Sequence, residues 1–371
     1  MYIERLKLKG FRNYDVCDIG FAKNFNILYG DNAQGKTNIL ESIFLCASGR
    51  SHRTAKDSEL IKMGDMTYQI KLKFVKNGIN STIDISFAKE EKKKIKVNDI
   101  ALKKIGNLMG NLNAVIFSPE DLLIIKEGPA ERRRFIDITL SQLKPAYFYD
   151  LQQYMKILSQ RNTLLKEIQI NKSLMDTLEI WNNNLIRTGA RIIRVRNEFI
   201  NRLGKYAENN HYKLTDDKEK LEFKYTPSIE AENYDDVRTI ERAFLNKLET
   251  SLYKELAKCS TLYGPQRDDY EIYLNGMNIK RFGSQGQQRT AILSIKLSEI
   301  DIMREETGEY PVLLLDDVMS ELDTKRQEYL FKSLTDIQTF ITCTDKEFFA
   351  EKVFVDSSFF HVSNGETKIE D

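Results

Sequence analysis

Cysteine, histidine and proline are scarce in this chain, and each scarcity closes off a class of structure or function. The four cysteines, Cys17, Cys46, Cys259 and Cys343, stand far apart with no C-x-x-C pair, and the three histidines are His52, His211 and His361. That usage argues against a structural zinc cluster or a disulfide framework. No run approaches the roughly 18 apolar residues of a membrane span, and the amino terminus, Met1 to Lys9, alternates like a half-buried strand instead of reading as a secretory signal. A cytoplasmic address without a membrane partner is expected. Charge of one sign is lacking too: 56 Lys and Arg against 55 Asp and Glu leave a net charge of +1. Any DNA contact must therefore come from local basic patches or from doubling a surface by dimerisation. Between Pro145 and Pro227 there is no proline and there are only two glycines, Gly189 and Gly204. Such a stretch lacks the residues that break helices.

What is present is enough apolar sequence for a substantial core: 371 residues, 41% hydrophobic and 30% charged, a length that suggests two domains. Near the start stands Gly30, Asp31, Asn32, Ala33, Gln34, Gly35, Lys36, Thr37, the G-x-x-x-x-G-K-[ST] pattern of a phosphate loop. Phe25 to Tyr29 reads as a short buried strand feeding it, and Lys36 to about Ala47 as the helix that follows. In that setting the backbone amides of Asn32 to Lys36 can ring phosphates, Lys36 can reach the β- and γ-phosphates of ATP, and the Thr37 hydroxyl can hold Mg²⁺.

The acidic partner comes almost at the other end. Val312 to Leu315 is a buried-strand pattern closing on Asp316 and Asp317, some 280 positions after Lys36. Asp316 is the candidate Mg²⁺ ligand and Asp317 the residue placed to polarise an attacking water. Lys36, Asp316 and Asp317 are thus the catalytic candidates.

The chain between these halves must leave the nucleotide fold and return. Ile70 to Val75 and Thr82 to Phe87 alternate around Asn77-Gly78 and predict a hairpin. Ala114 to Phe117 reads as a strand running into Ser118, Pro119 and Asp121, a helix-start signature. Apolar residues then recur at helical spacing through Leu151, Tyr154, Met155, Leu158, Leu164, Leu165 and Ile168, with a turn expected near Asn171 to Ser173 and a further helix from Asp236 to Lys258. The expected organisation is α/β: a discontinuous head of mixed sheets around the phosphate-loop helix, residues 1–118 and 260–371, with a mainly α-helical arm inserted at 119–259.

Phe282 to Arg289, lying just before a helix and some 28 residues ahead of the acidic strand, contains Ser284, Gln285, Gly286, Gln287 and Gln288. By itself this is a helix-start turn with exposed backbone donors. In this order it resembles the signature motif of ATP-binding-cassette ATPases, and Ser320 to Asp323 resembles the loop that follows their acidic strand, with Ser320 and Asp323 its candidate residues. The resemblance implies that the signature faces the phosphate loop of a second molecule, so that ATP gates a head-to-tail homodimer.

Within that superfamily the chain resembles the RecF family, DNA-repair relatives of the SMC proteins. The resemblance runs through Leu8 to Tyr14, the phosphate loop, Ser51 to Thr54, Phe117 to Leu122, Gly128 to Asp137, Gly264 to Asp269, and the signature through Asp323. It implies an ABC-type head with a short helical arm, ATP and Mg²⁺ as cofactors, and binding to double-stranded or gapped DNA. It also implies work with RecR and RecO in loading the RecA recombinase during repair, replication restart and the SOS response. Arg12 and Arg53 resemble arginines set near the nucleotide in SMC-like heads. Three departures predict slow hydrolysis suited to a switch: no Gln follows Ala114 to Phe117, where Ser118, Pro119 and Glu120 stand; Thr342 or Thr344 occupies the switch-histidine region; and Asp317 replaces the usual Glu. For an ATP-gated DNA clamp, DNA is expected to promote that slow turnover.

For DNA, Arg132 and Arg133 (with Arg134) and the arm's Arg187, Arg191 and Arg194 (with Arg196) are candidate phosphate contacts, Arg187, Arg191 and Arg194 sharing a helix face. Without aromatic interleaving, no sequence-specific reading is expected. The competing reading is the ATPase subunit of another machine, a transporter or a nucleotide-gated nuclease. The large helical insertion speaks against the former, and the want of an added acidic metal cluster against the latter.

Overall fold

In the computed structural model, which describes residues 1–346 and 357–370, the chain forms two compact units, 1–122 with 296–371, and 123–295. The sequence expectation placed 260–295 with the head. By packing these residues go with the helical unit, because Asp269–Leu274 pairs antiparallel with Leu221–Thr226.

The first unit holds two six-stranded sheets. In one, Tyr2–Phe11 pairs with Tyr14–Gly20 on one side and Thr67–Lys76 on the other. Thr67–Lys76 turns into Ile79–Ala88 through Asn77 (φ 50°) and Gly78 (φ 73°). Two left-handed residues match the twist of a two-residue hairpin, which is why Asn-Gly is legible in sequence. The other sheet has a parallel core: Ala114–Phe117, Val312–Asp316, Thr339–Cys343, Phe25–Tyr29 and Ser357–Ser363 lie side by side, and Glu366–Glu370 closes the edge antiparallel. Its central strands are covered on both faces and so read as unbroken apolar runs. Leu313, Leu314 and Leu315 are fully buried or nearly so, each contributing about 1.5–3 kcal/mol by its removal from water.

The helix Lys36–Ser48 packs against strands of both sheets. It is therefore apolar around most of its circumference, through Ile39, Leu40, Ile43, Phe44 and Leu45, and lacks a solvent stripe. Gly49, in the left-handed region at φ 70°, returns its amide to the Leu45 carbonyl and ends it.

The second unit is built on three long helices, Pro145–Ile170, Leu178–Leu214 and Val237–Lys258. At 1.5 Å per residue the second is about 55 Å long. The first two are joined through Asn171, whose side chain accepts the Ser173 amide. The third is capped by Asp236, which accepts from the Arg238 and Thr239 amides. Leu164, Leu165, Ile168 and Leu178 form a buried cluster with Trp181, Leu252 and Leu256. Arg161, fully buried, crosses from the first helix to Glu255 on the third at 2.7 Å and also donates to Asn182 and Thr261. Gly189 lets the helices approach, since a Cβ there would stand 2.6 Å from the Phe244 ring. The helix Gln285–Thr307 carries the chain from this unit into the first.

Candidate nucleotide site

The phosphate loop needs three unusual backbone conformations in close order: Gly30 at φ 139°, Ala33 at φ 63° and Gly35 at φ 121°. A Cβ on Gly35 would lie 2.8 Å from both the Asn13 side chain and the Tyr14 hydroxyl, so glycine is required there on two counts. The loop from Asn32 to Gly35 curls directly into the N-terminus of the helix Lys36–Ser48, a backbone arrangement that fits an anion such as a phosphate. Lys36 is buried with its ammonium donating to the Gly30 and Asp31 carbonyls at 2.5 and 2.7 Å. Burial pulls its pKa below the ordinary lysine value, an effect opposed by Asp317, Asp31 and Asp316.

Residues from two distant segments brace the loop. Asn13 donates to the Gln34 carbonyl at 2.7 Å and accepts from Asn38 at 2.8 Å, and Tyr14 donates to the Gly35 carbonyl. From the C-terminal hairpin, the Asn364 amide donates to the Gln34 side chain and the Gly365 amide to its carbonyl. Sequence reasoning did not single out Asn13, Tyr14 or Asn364. Asn13 and Tyr14 lie in the Leu8 to Tyr14 block, which by itself gave neither a role, and the signal for Asn364 was the Asn-Gly turn at 364–365.

The Thr37 hydroxyl donates to Asp316 Oδ1 at 2.8 Å, although the two residues are 279 positions apart. Thr342, on the neighbouring parallel strand, donates to the same oxygen at 2.8 Å and accepts the Asp317 amide at 2.8 Å. Its hydroxyl is therefore fixed between the two acids, whereas Thr344 is exposed. Burial raises the Asp316 pKa above the ordinary carboxyl value, opposed by its bonds from Thr37 and Thr342. Asp317, in the left-handed region at φ 54°, points to the exposed side of the strand end. One carboxylate and one hydroxyl beside a phosphate loop would suit Mg²⁺, a hard cation that takes oxygen ligands, with Thr37 and Asp316 the residues that would hold it. Ser320 donates to the Asp317 carbonyl at 2.9 Å, and Asp323 caps the helix Thr324–Ser333 through the Arg326 amide.

Arg12 and Arg53 converge on Glu41, a fully buried carboxylate of the phosphate-loop helix that the sequence analysis passed over. Arg12 forks it at 2.6 and 2.8 Å, Ser51 donates at 2.5 Å, and Arg53 stands 3.7 Å away while donating to Asn38. Burial would raise the Glu41 pKa; the hydrogen bonds and the arginine charges more than offset this and hold it below the ordinary value.

The signature residues belong to the second unit. Ser284 and Gln287 form a reciprocal capping box: the Ser284 amide donates to Gln287 Oε1 at 2.9 Å and the Gln287 amide to Ser284 Oγ at 3.2 Å. Gln288 is buried and ties back to the Ile279 and Gly283 carbonyls. Ser284, Gln285 and Gly286 remain exposed, and a Cβ on Gly286 would meet nothing nearer than 4.0 Å.

The DNA candidates divide sharply. Arg132 is buried and forks Asp269 at 2.6 and 2.9 Å, Arg133 donates to the Asp268 carbonyl, and Arg191 forks Asp150. Arg196 is buried against Asp137 and Asp268. Arg132 and Arg196 are therefore internal struts, whereas Arg133 is half-buried and the Arg191 side chain is 39% exposed beside its partner; a guanidinium satisfied by carboxylates and carbonyls has few donors left for a phosphate. Arg187 and Arg194 are exposed, and Arg187 lines an open groove of about 660 Å³ with Arg238 and Arg242, which the sequence reading missed. Helical spacing four residues apart on Val237–Lys258 was their only signal.

Comparison with known proteins agrees with this geometry. Residues 2–369 match the family described as RecF/RecN/SMC N terminal domain. The chain is 56% identical to the DNA replication and repair protein RecF of Acetivibrio thermocellus, covering 99% of this chain and 100% of that one, and 53% identical to RecF of Ruminiclostridium cellulolyticum over 98% of each. A solved structure of the recombination mediator protein RecF with ATP, in the RecFOR pathway, superposes with a TM-score of 0.93 at 40% identity, covering 100% of this chain and 98% of that one. An SMC head domain from Pyrococcus furiosus, at a TM-score of 0.54 and 17% identity, shares the fold alone. A phosphate loop and an acidic strand joined through Thr37 and Asp316, on an SMC-type head and with full-length identity above one half, place the chain in the RecF family of DNA replication and repair proteins, within the RecF/RecN/SMC ATPases.

Proposed function

We propose that the protein is an ATP-gated DNA clamp and recombination mediator. The reading rests above all on the 2.8 Å bond between Thr37 and Asp316 at the start of the helix that follows the phosphate loop. ATP binds with its phosphates on the amides of Asn32 to Lys36 and on the Lys36 ammonium, and Gly30 to Gly35 shape the turn. Thr37 and Asp316 hold Mg²⁺, which when bound neutralises charge on the phosphates. Asp317 polarises the attacking water, and Arg12 and Arg53, gathered on Glu41, border the nucleotide.

The exposed Ser284, Gln285 and Gly286 meet the γ-phosphate of a second copy, with Gln287 and Gln288 fixing the turn and Ser320 and Asp323 lining the same junction. Two copies thus close head to tail on duplex or gapped DNA. Hydrolysis is slow and resets the clamp: Thr342, held between Asp316 and Asp317, offers no histidine-like contact to a leaving phosphate. The relatives named for the RecFOR pathway support joint action with RecR and RecO in loading RecA. On the arm, Arg187 and Arg194 with Arg238 and Arg242 are the DNA-phosphate contacts. A cytoplasmic setting follows from this role.

Gel filtration of the wild type and Lys36→Met, each with ATP and a gapped duplex, tests the reading. Wild type should shift to a dimer that retains DNA, and Lys36→Met should not. A wild-type monomer under every condition would overturn it.

A further inference from the structure

The capping box at Ser284 does not end with Gln287. The amide group of Gln287 is used at both ends: its Oε1 accepts the Ser284 amide at 2.9 Å, and its Nε2 donates to Glu219 Oε1 at 2.8 Å. A backbone donor on one side and a carboxylate on the other leave one orientation for the amide. The second oxygen of Glu219 stands 3.2 Å from His211 Nε2. His211 is fully buried in the last turn of the long helix Leu178–Leu214, and its Nδ1 lies 3.0 Å from Ser294 Oγ on the signature helix itself. The imidazole thus touches the signature helix directly through Ser294 and indirectly through Glu219 and Gln287. This is an expensive group to bury, and the nucleotide chemistry described above makes no use of it.

We propose that His211 and Glu219 are positioning residues for the signature turn. They set where Ser284, Gln285 and Gly286 stand, and so tie the closing surface of the dimer to the end of the helix that bears Arg187 and Arg194. The proposal rests on the reading that this turn contacts a nucleotide on a second copy. Without Glu219, Gln287 keeps its bond to Ser284 but loses its anchor, and the turn samples orientations that no longer match the incoming phosphate. Such a loss falls on the closing step and not on ATP capture, because the phosphate loop belongs to the other unit.

The test uses the full chain with Glu219→Ala and Glu219→Gln. Glu219 is about one-fifth exposed at 22%, so truncation leaves no sealed cavity, and Gln in its place still offers an oxygen to Gln287. Sedimentation equilibrium with ATP should show the dimer weakened about tenfold in Glu219→Ala, the scale of one charge-assisted hydrogen bond, and restored to within about threefold in Glu219→Gln. Binding of a fluorescent ATP analogue to the monomer should change by less than about twofold. Amide exchange at Ser284 in the nucleotide-free monomer should quicken about tenfold in Glu219→Ala. Wild-type dimerisation by Glu219→Ala, unchanged exchange at Ser284, or an equal loss in both variants would overturn the relay alone. A wild type that stays monomeric at saturating ATP would overturn the relay together with the dimer reading.

Discussion

Thr342 donates a hydrogen bond to the side chain of Asp316 and accepts one from the amide of Asp317, each at 2.8 Å. One hydroxyl from the adjacent parallel strand therefore orients both acids: it fixes a side-chain oxygen of the first and the left-handed backbone turn of the second. Thr37 supplies the other bond to the same Asp316 oxygen.

Thr342→Val keeps the shape of the side chain and removes both bonds. We expect ATP turnover to fall about tenfold and the Mg²⁺ requirement to rise, with Mg²⁺-free nucleotide affinity unchanged. Steady-state kinetics over a Mg²⁺ titration decides it; undiminished turnover would show that the acids hold their geometry without the hydroxyl.

Glu41 links stability to pH. Its folded pKa lies below the ordinary value of 4.5, so its contribution is complete above that value and is lost as pH falls through the lower folded value. Chemical denaturation between pH 6 and about 3 should show the wild type losing more stability than Glu41→Gln across that acid window. At neutral pH, Arg12→Ala leaves the buried carboxylate short of its main partner and should cost about 2 kcal/mol, less than for a sealed pair because Arg12 is itself 20% exposed.

Arg161 and Glu255 are both fully buried. Glu255→Ala strands a guanidinium in the helical unit and should destabilise it by about 3–5 kcal/mol, whereas the double variant Arg161→Met/Glu255→Leu should recover most of that loss. Urea unfolding followed by circular dichroism measures both; additive losses would mean that the pair does not act as a unit.

The arginines of the arm should separate by burial. Arg187→Glu with Arg242→Glu should weaken duplex binding by at least about tenfold and flatten its dependence on log salt, with little change in melting temperature. Arg132→Ala should do the reverse, lowering the melting temperature while leaving the salt slope alone, because its guanidinium is spent on Asp269. Fluorescence anisotropy across a salt series distinguishes the two.

Local chemistry accounts for what could be read early. Asn77-Gly78 dictates a tight hairpin turn, Phe25 to Tyr29 and Val312 to Leu315 are unbroken because parallel strands are covered on both faces, and the proline-free stretch after Pro145 becomes helix. Arg132 and Arg187 show where such reading stops. Both are arginines on helices, and no property of their immediate neighbours tells a strut from a surface contact. The difference lies in Asp269, more than a hundred positions from Arg132, which folding brings to 2.6 Å.

The sequence by itself determined that there is a phosphate loop, an acidic strand end and a signature turn, because each needs particular residues at short, fixed spacing. It also determined the strands and helices that carry them, through periodicity and turn chemistry. Only the tertiary structure decided that Thr342 is held between the two acids, that Arg12 and Arg53 gather on Glu41, that residues 260–295 pack with the helical unit, and that His211 reaches the signature helix through Glu219 and Ser294. Those are pairings between distant segments, and their energy comes from partners that no local window contains.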